Sequence, residues 1–201
     1  MKRQGFTLVE LAIVLVIIGL LLGAVLKGQD LLRSAKEKNF YRHFVWGWKK
    51  AVLMYYDKTG NLLGDGKDNG GTADQPDGYF DNVKLYSNND IVNLLKAKGI
   101  TPPSTNVGDP GEFAIKGKYI RSVVRAYLYH LYDKNEKAHY NVIYLVGVPT
   151  DVAIAIDKIV DGKADGASGA FRRYAGRNEF ADWPDATDTK TVNAAFVVEL
   201  P

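Results

Sequence analysis

The chain of 201 residues contains no cysteine, which excludes disulfide bonds and thiolate metal sites. This absence does not indicate a compartment, because a cysteine-free protein is compatible with oxidising and reducing environments alike. The formal net charge of +3 is too small to indicate nucleic-acid binding. There are three histidines, and the separations of His43, His130 and His139 predict no zinc site. We expect His43 at the surface of a helix.

Motifs for catalysis are also missing. The segment Gly166-Ala167-Ser168-Gly169 does not have the spacing of a G-x-S-x-G nucleophile motif. Gly66-Lys67 is followed by an aspartate and lacks a glycine five residues earlier, so it is not a P-loop. The tyrosines within residues 119–144 could serve sugar binding or electron transfer, but at strand positions tyrosine is more typical of a packed sheet face. We therefore predict a protein without enzymatic activity.

One long apolar segment dominates the N-terminus. Residues 6–26 are apolar apart from Thr7, Glu10 and two glycines. As a helix they would span about 31 Å at 1.5 Å per residue, close to the thickness of the hydrocarbon core of a bilayer. Because Lys2 and Arg3 directly precede this segment, the positive-inside rule predicts a cytoplasmic N-terminus and export of the remainder.

Glu10 is the residue that an ordinary anchor or signal peptide leaves unexplained. A carboxylate within an apolar membrane helix costs roughly 2.5–3.5 kcal/mol on insertion scales. A signal peptide would also need a small-x-small cleavage site after the apolar segment, and Ala24-Val25-Leu26-Lys27 is a poor one. We therefore expect Glu10 to have a partner.

Residues 2–10 resemble the leader and mature N-terminus of type IV prepilins and type II secretion pseudopilins. In that family a short basic leader ends in glycine, and a membrane-embedded aspartic peptidase cuts after it. The new N-terminal residue, usually Phe, is N-methylated, and the fifth residue of the mature chain is Glu. Gly5, Phe6 and Glu10 match this pattern residue by residue. The resemblance covers about the first 35 residues.

This resemblance implies three segments and a set of partners. Residues 1–5 are the leader, residues 6–26 the transmembrane half of a long helix, and residues 27–201 a globular domain outside the bacterial inner membrane. The implied partners are prepilin peptidase, identical or related pilin subunits, and the inner-membrane assembly platform with its ATPase. In a filament, in the periplasm or at the cell surface, Glu10 of one subunit could pair with the Phe6 amine of its neighbour. A misdocked subunit would leave that buried charge unpaired.

After the anchor, the pattern predicts an α+β fold of pilin type, in which a long helix packs on a small antiparallel sheet. A helical period continues to about Lys58 without proline, and Gly60 is the predicted C-cap. The apolar stripe of this helix consists of Leu31, Ala35, Tyr41, Phe44, Trp48, Val52 and Tyr55.

The remaining elements are predicted from turn residues and from apolar periodicity. They are a loop over 59–89, a helix over 91–98 with Asp90 as its cap and Gly99 as its end, a linker over 101–111, strands over 119–132 and 140–148 joined by a turn, a helix over 151–160 with Thr150 or Asp151 as its cap, a turn over 161–169, and a strand over 192–200.

An acidic loop is the candidate metal site. Five aspartates lie within seventeen residues, interleaved with glycines: Asp65, Asp68, Asp74, Asp77 and Asp81. Ca²⁺ requires six to eight oxygen ligands on a bendable backbone, and this segment supplies both, although the EF-hand spacing is absent. The same composition is typical of a solvated loop of turn-forming residues. Major pseudopilins, which the N-terminus resembles, use a loop calcium, so calcium is a candidate cofactor. Asp157, Asp161 and Asp165 form a smaller second cluster.

Three functions fit this sequence. The first is a pilin or minor pilin of a type IV pilus-like filament, and the second is a pseudopilin of a type II secretion system. The third is a tip adhesin or DNA-uptake pilin, which the small net charge does not support. The lack of cysteine counts against pilins whose C-terminal region is closed by a disulfide. The sequence leaves the choice between pilus and secretion open.

Overall fold

The computed structural model describes residues 7–200. The chain divides into two compact units, Met1–Lys36 and Glu37–Pro201. Its helical first part comprises α1 (Leu8–Phe40), a π-helical turn (Tyr41–Val45) and α2 (Trp46–Thr59), which are consecutive along the chain without a break. Gly60 ends the helix in the left-handed conformation at φ 71°, and its N–H donates to the Tyr56 carbonyl at 2.8 Å. The predicted long helix and its glycine C-cap are thus confirmed.

The N-terminal part of this helix is apolar and exposed. Its most apolar 18-residue window has a mean hydropathy of 2.9, and none of it is buried. Among the described residues, this is the one helix long and apolar enough to cross a membrane. An exposed apolar surface of this size is unfavourable in water, because the transfer of apolar side chains out of water lowers the free energy. The exposed apolar helix therefore fits a membrane anchor.

The predicted apolar stripe is right in its C-terminal half and wrong at its start. Phe44 and Trp48 are fully buried, and Val52 and Tyr55 are buried as well. Leu31, in contrast, is 64% exposed, and Ala35 is also exposed. The two exposed residues belong to the N-terminal unit, whereas the buried core of the second unit begins with the last residue of α1.

The π-helical turn explains how so many neighbouring side chains reach the core. A π-turn inserts one extra residue into the helical repeat and so shifts the phase of the turns after it. Phe40, Phe44, Val45 and Trp48 are consequently all buried, although a regular α-helix would spread them over a wider arc. The apolar pattern of the sequence does not predict this insertion.

The second unit contains a sheet of seven strands, all paired antiparallel. The strand order is β1-β3-β4-β7-β5-β6, and β2 also pairs with β3. The strands are β1 (Val83–Lys84), β2 (Glu112–Lys116), β3 (Arg121–Asp133), β4 (Ala138–Pro149), β5 (Phe171–Gly176), β6 (Glu179–Phe180) and β7 (Thr191–Val197).

The α+β, pilin-like class predicted from the sequence is confirmed, and so are the long strands β3, β4 and β7. The four other strands were missed. Two of these, β1 and β6, have only two residues each, too few to show an alternation. Strand β5 has the sequence FRRYAG, which contains no β-branched residue.

In the described part of the chain, two shorter α-helices accompany the sheet, α3 (Asn89–Ala97) and α4 (Thr150–Val160). The prediction that Asp90 caps α3 is wrong, because the cap is Asn88, whose Oδ1 accepts the N–H groups of Asp90 and Ile91 at 3.1 and 3.3 Å. Asparagine at this position satisfies the free amides of the first turn. The end of α3 at Gly99 is as predicted, with Gly99 at φ 66°.

The cap predicted for α4 is also wrong. The N-cap position is Pro149, which makes no side-chain hydrogen bond there. Thr150 instead donates its hydroxyl to the Thr189 carbonyl, and Asp151 Oδ2 accepts the Lys118 N–H at 2.6 Å. Both side chains therefore tie α4 to neighbouring segments rather than closing its first turn.

The helix packs on the sheet through aromatic side chains. The ring centroids of Phe40 and Phe44 lie 5.2 and 5.4 Å from that of Phe113 on β2. The indole N–H of Trp48 donates to the Pro110 carbonyl at 3.0 Å, so this buried polar atom is satisfied. Each fully buried large side chain contributes about 1.5–3 kcal/mol of transfer free energy. The second unit thus has a core of its own.

Candidate functional site

Glu10 lies in the first turn of α1, where its carboxylate accepts hydrogen bonds at the start of the helix. Glu10 Oε2 accepts the Thr7 backbone N–H at 2.8 Å and the Thr7 hydroxyl at 2.9 Å. The Thr7 hydroxyl oxygen in turn accepts the Glu10 N–H at 3.2 Å. This is a reciprocal capping-box arrangement, which satisfies free amides at a helix N-terminus. Gly5 and Phe6, the predicted processing residues, lie outside the described residues.

The acidic loop is organised by two of its five aspartates. Asp65 is almost fully buried, and its two carboxylate oxygens accept the N–H groups of Asp77 and Gly78 at 3.0 and 2.8 Å. Asp81 Oδ2 accepts three backbone amides, those of Gly66, Thr72 and Ala73, at 3.0, 2.7 and 2.8 Å. A carboxylate that gathers several backbone amides holds a loop in one conformation.

The other three aspartates of the loop have separate surroundings. Asp74 forms an ion pair with Lys67, and Asp77 Oδ1 accepts the Tyr79 N–H at 2.9 Å. Asp68 lies in a short 3-10 turn and is exposed. Within residues 7–200, no group of three or more His, Cys, Asp or Glu side chains is arranged to hold a metal ion. Calcium binding by these five aspartates remains a prediction.

Comparison with known families gives a match at the N-terminus. Residues 1–26 match the family model described as the prokaryotic N-terminal methylation motif. The chain carries the processing motif of type IV pilins and pseudopilins. No curated protein and no solved structure gave a significant match. The motif and the exposed apolar helix together indicate a membrane-anchored, pilin-like protein.

The second aspartate cluster of this pilin-like protein fastens a loop to α4. Asp157 is fully buried, and its Oδ2 accepts the indole N–H of Trp183 at 2.6 Å and the Asp165 N–H at 2.7 Å. Asp161 accepts the N–H groups of Ala170 and Phe171 at 3.0 and 2.8 Å. The carboxylates thus replace secondary structure in holding this turn, a structural role that the sequence did not reveal.

The pKa values of two carboxyl groups in this cluster, Asp157 and Asp165, are shifted in opposite directions. Burial raises the pKa of Asp157 to about 6, and the negative charge of Asp161 adds to the rise. Among residues 7–200 no donor reaches its buried Oδ1, which further disfavours the charged form. Hydrogen bonds from Lys163 and Ser168 lower the pKa of Asp165 to about 2.

Two of the three histidines are in contact, although their separations in the sequence indicated no metal site. Nε2 of His130 on β3 and Nδ1 of His139 on β4 lie 2.8 Å apart. Burial lowers the pKa of His130, the nearby His139 lowers it further, and Asp77 acts in the opposite direction. The signal was present in the sequence, since the predicted turn between the two strands brings these residues to one end of the hairpin. His43 is exposed on the helix, as predicted.

The tyrosines of the hairpin form a ring network on the sheet. Tyr129 and Tyr144 contact each other with centroids 5.2 Å apart, and Tyr144 also contacts Tyr174 on β5 at 5.7 Å. These rings pack against a second set of buried side chains that includes Leu131. Burial raises the pKa of Tyr144 to about 12. The network agrees with the packing role that strand tyrosines were expected to have.

Proposed function

We propose that this chain is a structural subunit of a type IV pilus-like filament, either a pilin or a minor pilin. The observation that carries the proposal is the methylation motif at residues 1–26, continued by an exposed apolar helix. Such a helix can rest in the inner membrane as an anchor and later pack beside the helices of other subunits. The N-terminus is cytoplasmic before processing, and the sheet domain is exported.

Prepilin peptidase removes residues 1–5, and the new amine on Phe6 is methylated. The cut places a positive charge at the new N-terminus, four residues before Glu10 in the sequence. In the single subunit the Glu10 carboxylate accepts hydrogen bonds from Thr7. On assembly it can also pair with the Phe6 amine of a neighbour, which offsets the cost of both charges in an apolar bundle.

The assembly platform and its ATPase supply the work of lifting the subunit from the membrane. Lipid and neighbouring helices are similarly apolar, so helix bundling gains little from the hydrophobic effect itself. Selectivity must therefore come from packing and from polar pairs such as the one proposed for Glu10. No chemical step is required of the sheet domain.

The alternative is a pseudopilin of a type II secretion system, whose filament stays within the envelope. The lack of cysteine favours it over pilins that are closed by a disulfide. A tip adhesin or DNA-uptake pilin is a weaker alternative, since neither the net charge nor a basic patch in the sequence supports it.

Fractionation of cells separates these functions. We expect the processed chain in filaments sheared from the cell surface, and its absence there in a strain without prepilin peptidase. A chain found only in envelope filaments, together with a loss of protein secretion when its gene is deleted, would establish the pseudopilin alternative. A chain that remains uncut and membrane-dispersed in the wild-type strain would contradict both.

A further inference from the structure

Two imidazole side chains meet on one face of the β3–β4 hairpin. The strand register places His130 opposite Asn141 and Tyr132 opposite His139, so the two histidines are diagonal neighbours across the ladder. Their Nε2 and Nδ1 atoms are 2.8 Å apart. Since one proton suffices for this hydrogen bond, one of the two nitrogens presents a lone pair to the other.

Neighbouring side chains hold both rings in position. The Tyr79 ring stacks on His130 with centroids 4.2 Å apart and planes 22° from parallel, and the Tyr132 ring lies 4.9 Å from that of His139. Asn141 fixes the segment that carries Tyr79, because it accepts the Phe80 N–H at 2.9 Å and donates to the Gly78 carbonyl at 2.8 Å. These contacts keep the two imidazole rings next to each other in the metal-free protein.

The separation of the two nitrogens is close to that of two ligands on one metal ion. With metal–nitrogen bonds of about 2.0–2.1 Å, two imidazole nitrogens on one ion lie about 2.9–3.4 Å apart, depending on the geometry. The two nitrogens need to move apart by at most about half an ångström, and the rings, whose planes lie 24° from parallel, must turn until both lone pairs point at the ion rather than at each other. His139 is exposed and Tyr79 is 37% exposed, so an ion has access from solvent.

We propose that His130 Nε2 and His139 Nδ1 form a two-histidine chelate for a divalent transition-metal ion. The ion takes the place of the proton that the two nitrogens share, and that proton moves to the other ring nitrogen of the histidine that carried it, so both ligands are neutral imidazoles. Imidazole nitrogen suits copper, nickel and zinc, whereas Ca²⁺ and Mg²⁺ prefer oxygen, so this site differs in chemistry from the acidic loop.

The remaining coordination positions belong to water. Within the described residues, no third His, Cys, Asp or Glu joins the two histidines in a metal-binding group. A chelate of two ligands binds more weakly than a closed structural site and obeys the intrinsic order of metal affinities, in which Cu²⁺ binds most tightly.

Titration of the metal-free full chain in detergent tests the site. We expect one equivalent of Cu²⁺ to bind more tightly than Ni²⁺ or Zn²⁺, and the electron paramagnetic resonance spectrum of bound Cu²⁺ to show two coordinating nitrogens. His130→Ala and His139→Ala should each weaken Cu²⁺ binding at least about tenfold. The matched control is His43→Ala, which removes an exposed histidine elsewhere and should leave the affinity unchanged.

A further variant distinguishes the loss of a metal ligand from misfolding. His139→Gln changes an exposed residue, and its circular dichroism spectrum should match that of the wild type while Cu²⁺ binding falls. Wild-type affinity in His139→Gln, or in a variant lacking both histidines, would overturn the proposal. An equal loss in His43→Ala would also overturn it, since binding would then be adventitious.

Discussion

Thr7 and Glu10 exchange hydrogen bonds at the start of the apolar helix, and this exchange fixes the only acid of residues 6–26 in place. The Glu10 carboxylate accepts both the amide and the hydroxyl of Thr7, one residue from the predicted N-terminus of the mature chain. The reciprocal bonds satisfy amides that the helix leaves free at its first turn. Glu10 is therefore oriented toward the helix start before any partner arrives.

Processing is the first prediction. Because residues 1–26 match the methylation motif, the mature chain should lack residues 1–5 and carry a methyl group on Phe6. Intact-mass analysis of the native membrane protein measures both changes. The control is the same chain from cells without prepilin peptidase, which should keep its leader. A mature N-terminus near residue 25 would instead mean an ordinary signal peptide.

The second prediction separates folding from assembly. Glu10→Leu should still insert, still be cut after Gly5 and still fold outside the membrane, since the acid only raises the cost of insertion. Its incorporation into sheared filaments should fall at least about tenfold, because leaving one partner of a buried ion pair alone costs about 3–5 kcal/mol. Quantitative blotting of sheared filaments, normalised to membrane levels, measures this.

Thr7→Val is the matched control for Glu10→Leu. It removes the hydroxyl that bonds to Glu10 but keeps the carboxylate. If pairing with a neighbouring amine governs docking, Thr7→Val should assemble nearly as well as the wild type. Equal defects in the two variants would show that the cap at the helix start matters rather than the charge pair.

Calcium binding is the third prediction. If the acidic loop binds Ca²⁺ in the folded state alone, the ion stabilises the protein, by about 2.7 kcal/mol at a concentration one hundred times the Kd. The full chain in detergent should melt at a higher temperature in millimolar Ca²⁺ than in chelator. Asp68→Asn should reduce the shift, and Asp188→Asn, an exposed aspartate outside the loop, should not. Identical melting curves with Ca²⁺ and with chelator would show that the acidic loop does not bind Ca²⁺.

The long elements of the fold could be predicted from the sequence because their patterns are long. The helix to Thr59 and the strands β3, β4 and β7 each contain enough residues to show a period. Two local features could not be predicted. The π-turn at Tyr41–Val45 leaves no mark in the apolar pattern, and Asn88 and Asp90 are both residue types that commonly cap a helix.

The same distinction holds for the candidate sites. Gly5, Phe6 and Glu10 form a local motif, so they can be identified from nine consecutive residues. The contact between His130 and His139 depends on the register of a hairpin, and the roles of Asp65 and Asp81 depend on how the loop folds back on itself. Counting acids in a segment does not distinguish a carboxylate that binds metal from one that binds amides.

The fourth prediction concerns pH and the buried Asp157. Its folded-state pKa is about 6, above the ordinary value of 3.8. The folded protein therefore binds more protons than the unfolded chain between these values, and stability falls as pH rises from about 4 to about 6. The contribution is fully present below about pH 4 and is lost above about pH 6. Each pKa unit corresponds to about 1.4 kcal/mol, so a shift of about two units corresponds to a change of up to about 3 kcal/mol.

Asp157→Asn tests this directly, because an amide has the shape of the carboxyl group but does not titrate. Its carbonyl can still accept the indole N–H of Trp183 and the Asp165 N–H, and its uncharged NH₂ group takes the place of Oδ1, which accepts no hydrogen bond from the described residues. We expect the variant to match or exceed wild-type stability at about pH 7 and to lose the slope between about pH 4 and 6. Thermal melting of the full chain in detergent across that range measures both.

Asp165→Asn is the control of opposite sign, because the lowered pKa of Asp165 contributes stability that is lost only as pH falls toward about 2. Its slope over the same range should resemble that of the wild type, and an unchanged slope in Asp157→Asn would show that another group controls the acid response.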